Sequence, residues 1–178
     1  MKKVLKKLPL IVLALVLVLA IKDKTYAATY GKLTYEVKND GTIKITDCDE
    51  NASGALTIPD TINGKKVTSI GGRTFYHCSS LISITIPSSV TSIGNQAFIF
   101  CKSLEKVLCL GNASKLGSET FDYCSSNLKI YAKNGLTGYD ANGWGNYSDK
   151  IVRYDETLKD KSVTFTRKSQ TKNVELSN

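Results

Sequence analysis

The stretch TSIGNQAFIFCKSLEKV, beginning at Thr91, nearly repeats TSIGGRTFYHCSSLISI, beginning at Thr68, and a looser copy, SKLGSETFDYCSS, begins at Ser114. Phe75, Phe98 and Phe121 therefore recur every 23 residues, and so do Cys78, Cys101 and Cys124. A fixed step of this size is the mark of a solenoid. Each copy is one coil, too small to bury its own apolar side, and stability comes from stacking the copies. The constraint outranks local propensity, because an unstacked coil would leave its phenylalanine in water.

One coil reads as follows. Leu81, Ile84 and Ile86 form an L-x-x-I-x-I pattern whose second half alternates, so Ile84 and Ile86 turn inward and Thr85 outward on a short strand. Pro87 cannot donate a ladder hydrogen bond and ends that strand. Val90 and Ile93 supply a second inward contact, and Gly94 is expected to provide a positive φ at a corner. The run from Asn95 to Cys101 is too short for a self-supporting α-helix. It suits one helical or 3₁₀ turn with Ala97, Phe98 and Cys101 inside.

The phrases CSSLISITIP from Cys78 and VTSIGNQAFIFC from Val90 resemble, position by position, the repeat of the BspA-like leucine-rich repeat family. The resemblance implies an α/β leucine-rich-repeat solenoid, β-rich, with right-handed coils of short strands and 3₁₀ or single helical turns. It also implies adhesion to host matrix proteins or other cells. LTIPDTINGKKVTSIGGRTF from Leu56 is similar to the family's first repeat, with Asn63 and Gly64 in an inserted turn and Thr74 in the place of Ala97. The third copy departs further: Cys109 and Leu110 stand where Ile86 and Pro87 stood, and Thr120 where Ala97 stood. An extra residue precedes Leu128, and we read that slip as the end of the array.

Five segments follow. Residues 1–27 have the layout of a secretory signal peptide: four lysines precede an apolar run from Leu8 to Ile21, short of the roughly 20 residues that cross a bilayer. Residues 28–53 alternate Leu33, Tyr35, Val37, then Ile43 and Ile45 across an Asn39-Asp40-Gly41 turn, a hairpin expected to cap the first coil. Residues 54–127 carry the repeats. Residues 128–152 resemble the family's closing segment, a last strand and then an aromatic-bearing turn or helix. Residues 153–178 are polar and charged, with Val163 and Phe165 as their only strand-like pulse, and are expected to be disordered.

The formal charge of +8 suggests an anionic partner, but removing residues 1–27 leaves only +3. No basic stripe with interleaved aromatics accompanies it, so nucleic acid is excluded as a partner. All five cysteines lie in the part expected to be exported, and an odd number leaves at least one thiol unpaired. Coils stack about 4.8 Å apart, within the Cα range a disulfide accepts, so buried thiols and partial disulfide bonding both remain open.

Sites with chemistry are scarce. TDCDENASG from Thr46 spaces Asp47, Asp49 and Asn51 like a calcium loop, but Ala52 and Ile58 stand where that loop demands glycine and glutamate. His77, the only histidine, shares its repeat slot with Phe100 and Tyr123, and no nucleophile can be tied to it. Tyr139, Trp144 and Tyr147 read as a plug for the last coil in preference to a sugar platform. No catalytic residue, cofactor or metal is expected.

Surface is what remains. The outward residues of the main strands, Thr57, Ile82, Ser83, Thr85, Glu105, Lys106 and Leu108, are expected to form a binding ledge, with the apolar Ile82 and Leu108 as its leading contacts. The expectation is a secreted or cell-surface, non-catalytic module. Its partner is an extracellular protein or glycan, with possible cell-wall association and no membrane span after signal cleavage. The alternatives are a cell-envelope scaffold for anionic wall polymer, and a secreted enzyme or inhibitor using His77 or the acidic turn.

Overall fold

A short strand that alternates inward and outward residues can hide its apolar side only against the rest of its own coil. Its edges must be filled by the coils above and below. The computed structural model describes residues 27–141 and 143–155, and within them this is what occurs. The expected signal peptide and nearly all of the expected charged tail lie outside the described residues. In chain order the strands are β1 (Ala28–Tyr30), β2 (Leu33–Val37), β3 (Ile43–Cys48), β4 (Gly54–Thr57), β5 (Thr61–Ile62), β6 (Lys65–Ile70), β7 (Leu81–Ile86), β8 (Ser92–Ile93), β9 (Lys106–Cys109), β10 (Lys115–Leu116), β11 (Lys129–Lys133) and β12 (Ile151–Tyr154).

Two walls of the solenoid are parallel sheets. The larger strands line up as β12-β11-β9-β7-β4, and each pair is parallel. The second wall runs β3-β6-β8-β10, also parallel. Antiparallel β2 and β3 form the N-terminal hairpin and start this wall, so the first coil meets a hydrogen-bonded edge. The hairpin turn is held by Asp40, whose carboxylate accepts from the Thr42 amide at 2.9 Å and the Thr42 hydroxyl at 2.6 Å. A second hairpin, β5 with β6, turns through Asn63 (φ 50) and Gly64 (φ 74), the left-handed pair that two-residue hairpins favour.

The third wall is neither strand nor helix. Its backbone bonds run from coil to coil at every second residue: Phe75 N to Ala97 O (2.8 Å), His77 N to Ile99 O (3.2 Å), Phe98 N to Thr120 O (2.9 Å) and Phe100 N to Asp122 O (3.1 Å). To aim amides along the solenoid axis the chain enters left-handed conformations at Arg73, Gln96 and Glu119, and again at His77, Phe100 and Tyr123, all with φ between 54° and 63°. Those residues interrupt any continuous helix and leave isolated turns, Ile99 N to Gln96 O (3.2 Å) and Cys101 N to Phe98 O (3.2 Å), in the place of the single turn expected here. The 3₁₀ helix among the described residues is Trp144–Lys150, in the closing segment.

Gly94 also departs from expectation. It is not among the residues with positive φ; a Cβ there would sit 2.3 Å from Gly72 N and 2.7 Å from Gly71 C. Glycine is required because the neighbouring coil's backbone passes too close for any side chain.

Inside, Phe75, Phe98 and Phe121 are stacked, with ring centroids 4.7 and 5.2 Å apart and planes within 10° of parallel. All three are buried, as are Ala97, Cys78 and Cys101. Threonines in the alanine slot keep their hydroxyls bonded: Thr74 to Gly71 O and Ile45 O, Thr120 to Gly117 O.

The slip before Leu128 does not end the array. Asn127, not a leucine, falls one step after Leu104, yet Ile130 pairs with Val107 and Ala132 with Cys109, so the 23-residue register is restored within two residues. Strand pairing continues through β11 to β12, with Ile130 opposite Ile151. The closing plug is aromatic. Tyr139, Trp144 and Tyr147 are buried against Phe121 and one another, and each polar tip is satisfied. Trp144 Nε1 donates to Ser114 O (2.7 Å), Tyr139 Oη to Gly111 O (2.7 Å) and Tyr147 Oη to Asp122 Oδ1 (2.8 Å).

Candidate binding ledge

The five-stranded wall places residues in straight rows, because parallel strands in register repeat the same side-chain direction at each rung. One outward row runs Thr57, Thr85, Leu108, Tyr131, Val152. The next runs Ala55, Ser83, Lys106, Lys129. Ile82 and Glu105 lie beside these, linked by the Glu105 amide donating to Ile82 O at 2.9 Å. All seven residues expected on the ledge therefore lie on one wall.

They are not equally presented. Thr57 and Glu105 are exposed, and Ile82, Thr85, Lys106 and Leu108 are half-buried. Ser83 is only 8 % exposed, so its place as a contact is corrected. Two members of the main row, Tyr131 and Val152, went unread in the sequence. Tyr131 stands one repeat step after Leu108, so its signal was present; the slip at Leu128 masked it. With Leu108, Tyr131 and Val152 adjacent, the C-terminal half of the row is apolar while the N-terminal half carries threonines.

Chemistry elsewhere is spent on structure. His77 is exposed, its ring edge-on to Tyr76 at 4.4 Å and tilted against Phe100 at 4.9 Å, and Phe100 stacks on Tyr123 at 4.8 Å. His77, Phe100 and Tyr123 are among the left-handed residues of the third wall, and their rings form an outer column parallel to the phenylalanine core. Beside it runs a polar ladder, Arg73 Nε to Gln96 Oε1 (2.7 Å) and Gln96 Nε2 to Glu119 Oε2 (2.6 Å). In the acidic turn Asp49 accepts from the Asn51 amide and pairs with Lys32. The Lys32 ammonium, with that amide, holds its carboxyl below the usual carboxylate range. Among the described residues no three His, Cys, Asp or Glu side chains are grouped to hold a metal. The crevice lined by Ile86, Val90, Cys109, Tyr139 and Trp144 encloses about 10 Å³, room for a water at most.

The sequence profile of the BspA type leucine rich repeat region matches residues 53–169 in six copies, most of the chain. The chain belongs to the BspA-type leucine-rich repeat family. Within solved structures, this BspA-type chain is similar to a leucine rich cell surface protein from Faecalibacterium prausnitzii, at 34% identity and a TM-score of 0.52. The match covers 61% of this chain and 30% of that one, so the BspA-type chain spans under a third of that relative. A leucine-rich repeat protein from Bacteroides capillosus is 24% identical with a TM-score of 0.47, over 61% of this chain and 98% of that one. No curated relative matches the chain. No helix among the described residues is long and apolar enough to cross a membrane.

Proposed function

We propose that this BspA-type chain is an exported, non-catalytic binding module that engages an extracellular protein or glycan through the outward row of its five-stranded wall. The observation that carries the reading is the row itself: Thr57, Thr85, Leu108, Tyr131 and Val152 stand side by side on five hydrogen-bonded parallel strands. Such a surface is preformed, so binding orders little backbone and loses little entropy. The cell-surface relative supports a role outside the cell, and the layout of residues 1–27 supports export.

Size sets the strength. Five strands about 4.8 Å apart, each about 15 Å long, give a face of roughly 300 Å², smaller than the roughly 800 Å² per partner of a standard interface. Affinity for a single ledge is therefore modest, and useful attachment comes from several copies on one surface. The test is a screen of the full chain against immobilised matrix proteins, glycans and purified cell wall, repeated with Ile82→Asp and Leu108→Asp. Binding that falls about tenfold or more in the Leu108→Asp chain supports the ledge. Binding unchanged in both variants removes it, and retention on cell wall alone, released by high salt, supports the anionic-polymer scaffold instead.

A further inference from the structure

The cysteines at the repeat position form a column, and the thiols lean in one direction along it. Cys124 Sγ donates to Phe98 O at 3.1 Å and Cys101 Sγ to Phe75 O at 3.0 Å, so each thiol reaches back into the preceding coil. Phe98 O also accepts the Cys101 amide, at 3.2 Å, which puts the Cys124 sulfur in the same turn as Cys101. Cys101 and Cys124 thus hold the same position in adjacent coils, one repeat step apart. Their backbones are clamped on either side by Phe98 N to Thr120 O and Phe100 N to Asp122 O. One inter-coil spacing of about 4.8 Å lies inside the 4.4–6.8 Å Cα range of disulfides.

Access separates the five. Cys48, Cys78, Cys101 and Cys109 are buried, and Cys124 alone is partly open to solvent. We propose that Cys124 and Cys101 form a thiol–disulfide exchange site, in which Cys124 takes an external disulfide and Cys101 resolves it into a covalent staple between adjacent coils. The co-reactant is a small dialkyl disulfide. The Cys124 thiolate attacks one of its sulfurs and expels the other as a thiolate, leaving a mixed disulfide. Cys101 then gives up its proton and attacks the Cys124 sulfur, expelling the second small thiolate, which is protonated. The balance is two protein thiols plus one small disulfide giving one cystine and two small thiols. The second step is the slow one, because Cys101 is buried, its thiol is held on Phe75 O, and the neighbouring Cys124 thiol together with burial pushes it up.

The test uses the reduced full chain, incubated with oxidised glutathione and mapped by mass spectrometry without reduction. The expected result is loss of two hydrogen atoms and a Cys101–Cys124 crosslinked peptide, with Tm raised by about 10 °C. Cys124→Ser should abolish the reaction, and Cys101→Ala should trap glutathione on Cys124. A wild-type chain that stays unmodified, keeps a stable adduct on Cys124, or links Cys101 to Cys78 overturns the proposal, and that reading needs no variant to fold.

Discussion

At the scale of single residues, the load falls on the phenylalanine column. Phe98 is fully buried with a ring on each face, so Phe98→Ala removes two stacking contacts and leaves a void that neighbouring coils cannot close. The expected cost is about 3–5 kcal/mol, measured by urea unfolding. Gly94→Ala should cost about 1–3 kcal/mol by the opposite route, overpacking against the Gly71 and Gly72 backbone, and the same assay measures it. The phenylalanine column was legible because large apolar residues at a fixed step have nowhere else to go. The reason for Gly94 was not, since a close approach of two backbones 23 residues apart leaves the same letter as a tight turn. The outer column of His77, Phe100 and Tyr123 was equally hidden. Nothing in the letters says that bulky residues will take left-handed φ, and they do so only because coil-to-coil amide bonds and ring stacking hold them there.

At the scale of elements, the closing plug is the part most sensitive to pH. Burial pushes the Tyr147 phenol up to about 12 and raises that of Tyr139 as well, above the ordinary tyrosine value near 10. Both must stay neutral in the folded chain. Their contribution is complete below about pH 10, where the unfolded chain is also protonated, and is lost as pH rises toward 12. Trp144, the only tryptophan, packs against Tyr139, so its fluorescence reports the event. We expect a red shift and loosening of the plug between about pH 10 and 12; emission unchanged through pH 12 would contradict the assignment. The plug's aromatics were readable in sequence as a cluster. Their partners were not, because Ser114, Gly111 and Asp122 lie 25 to 30 residues away.

At the scale of the molecule, the repeat dictates a stack of near-identical rungs, and the stack turns scattered residues into a surface. Leu108 and Tyr131 mean little apart, and become neighbours only because β9 and β11 pair in register. The slip at Leu128 hid this, since one extra residue in a corner looks in the sequence like the end of the pattern, while the strand after it absorbs the change. Recognition is proposed for the five-stranded wall and not for the exposed aromatic column of the third wall, where Tyr123 is 69 % exposed. The most direct test compares the full chain carrying Leu108→Asp with the full chain carrying Tyr123→Asp for binding to the strongest matrix-protein or glycan partner found in the screen. The account predicts that Leu108→Asp weakens binding about tenfold or more while Tyr123→Asp leaves it unchanged. Loss with Tyr123→Asp and retention with Leu108→Asp would contradict the account and place recognition on the third wall.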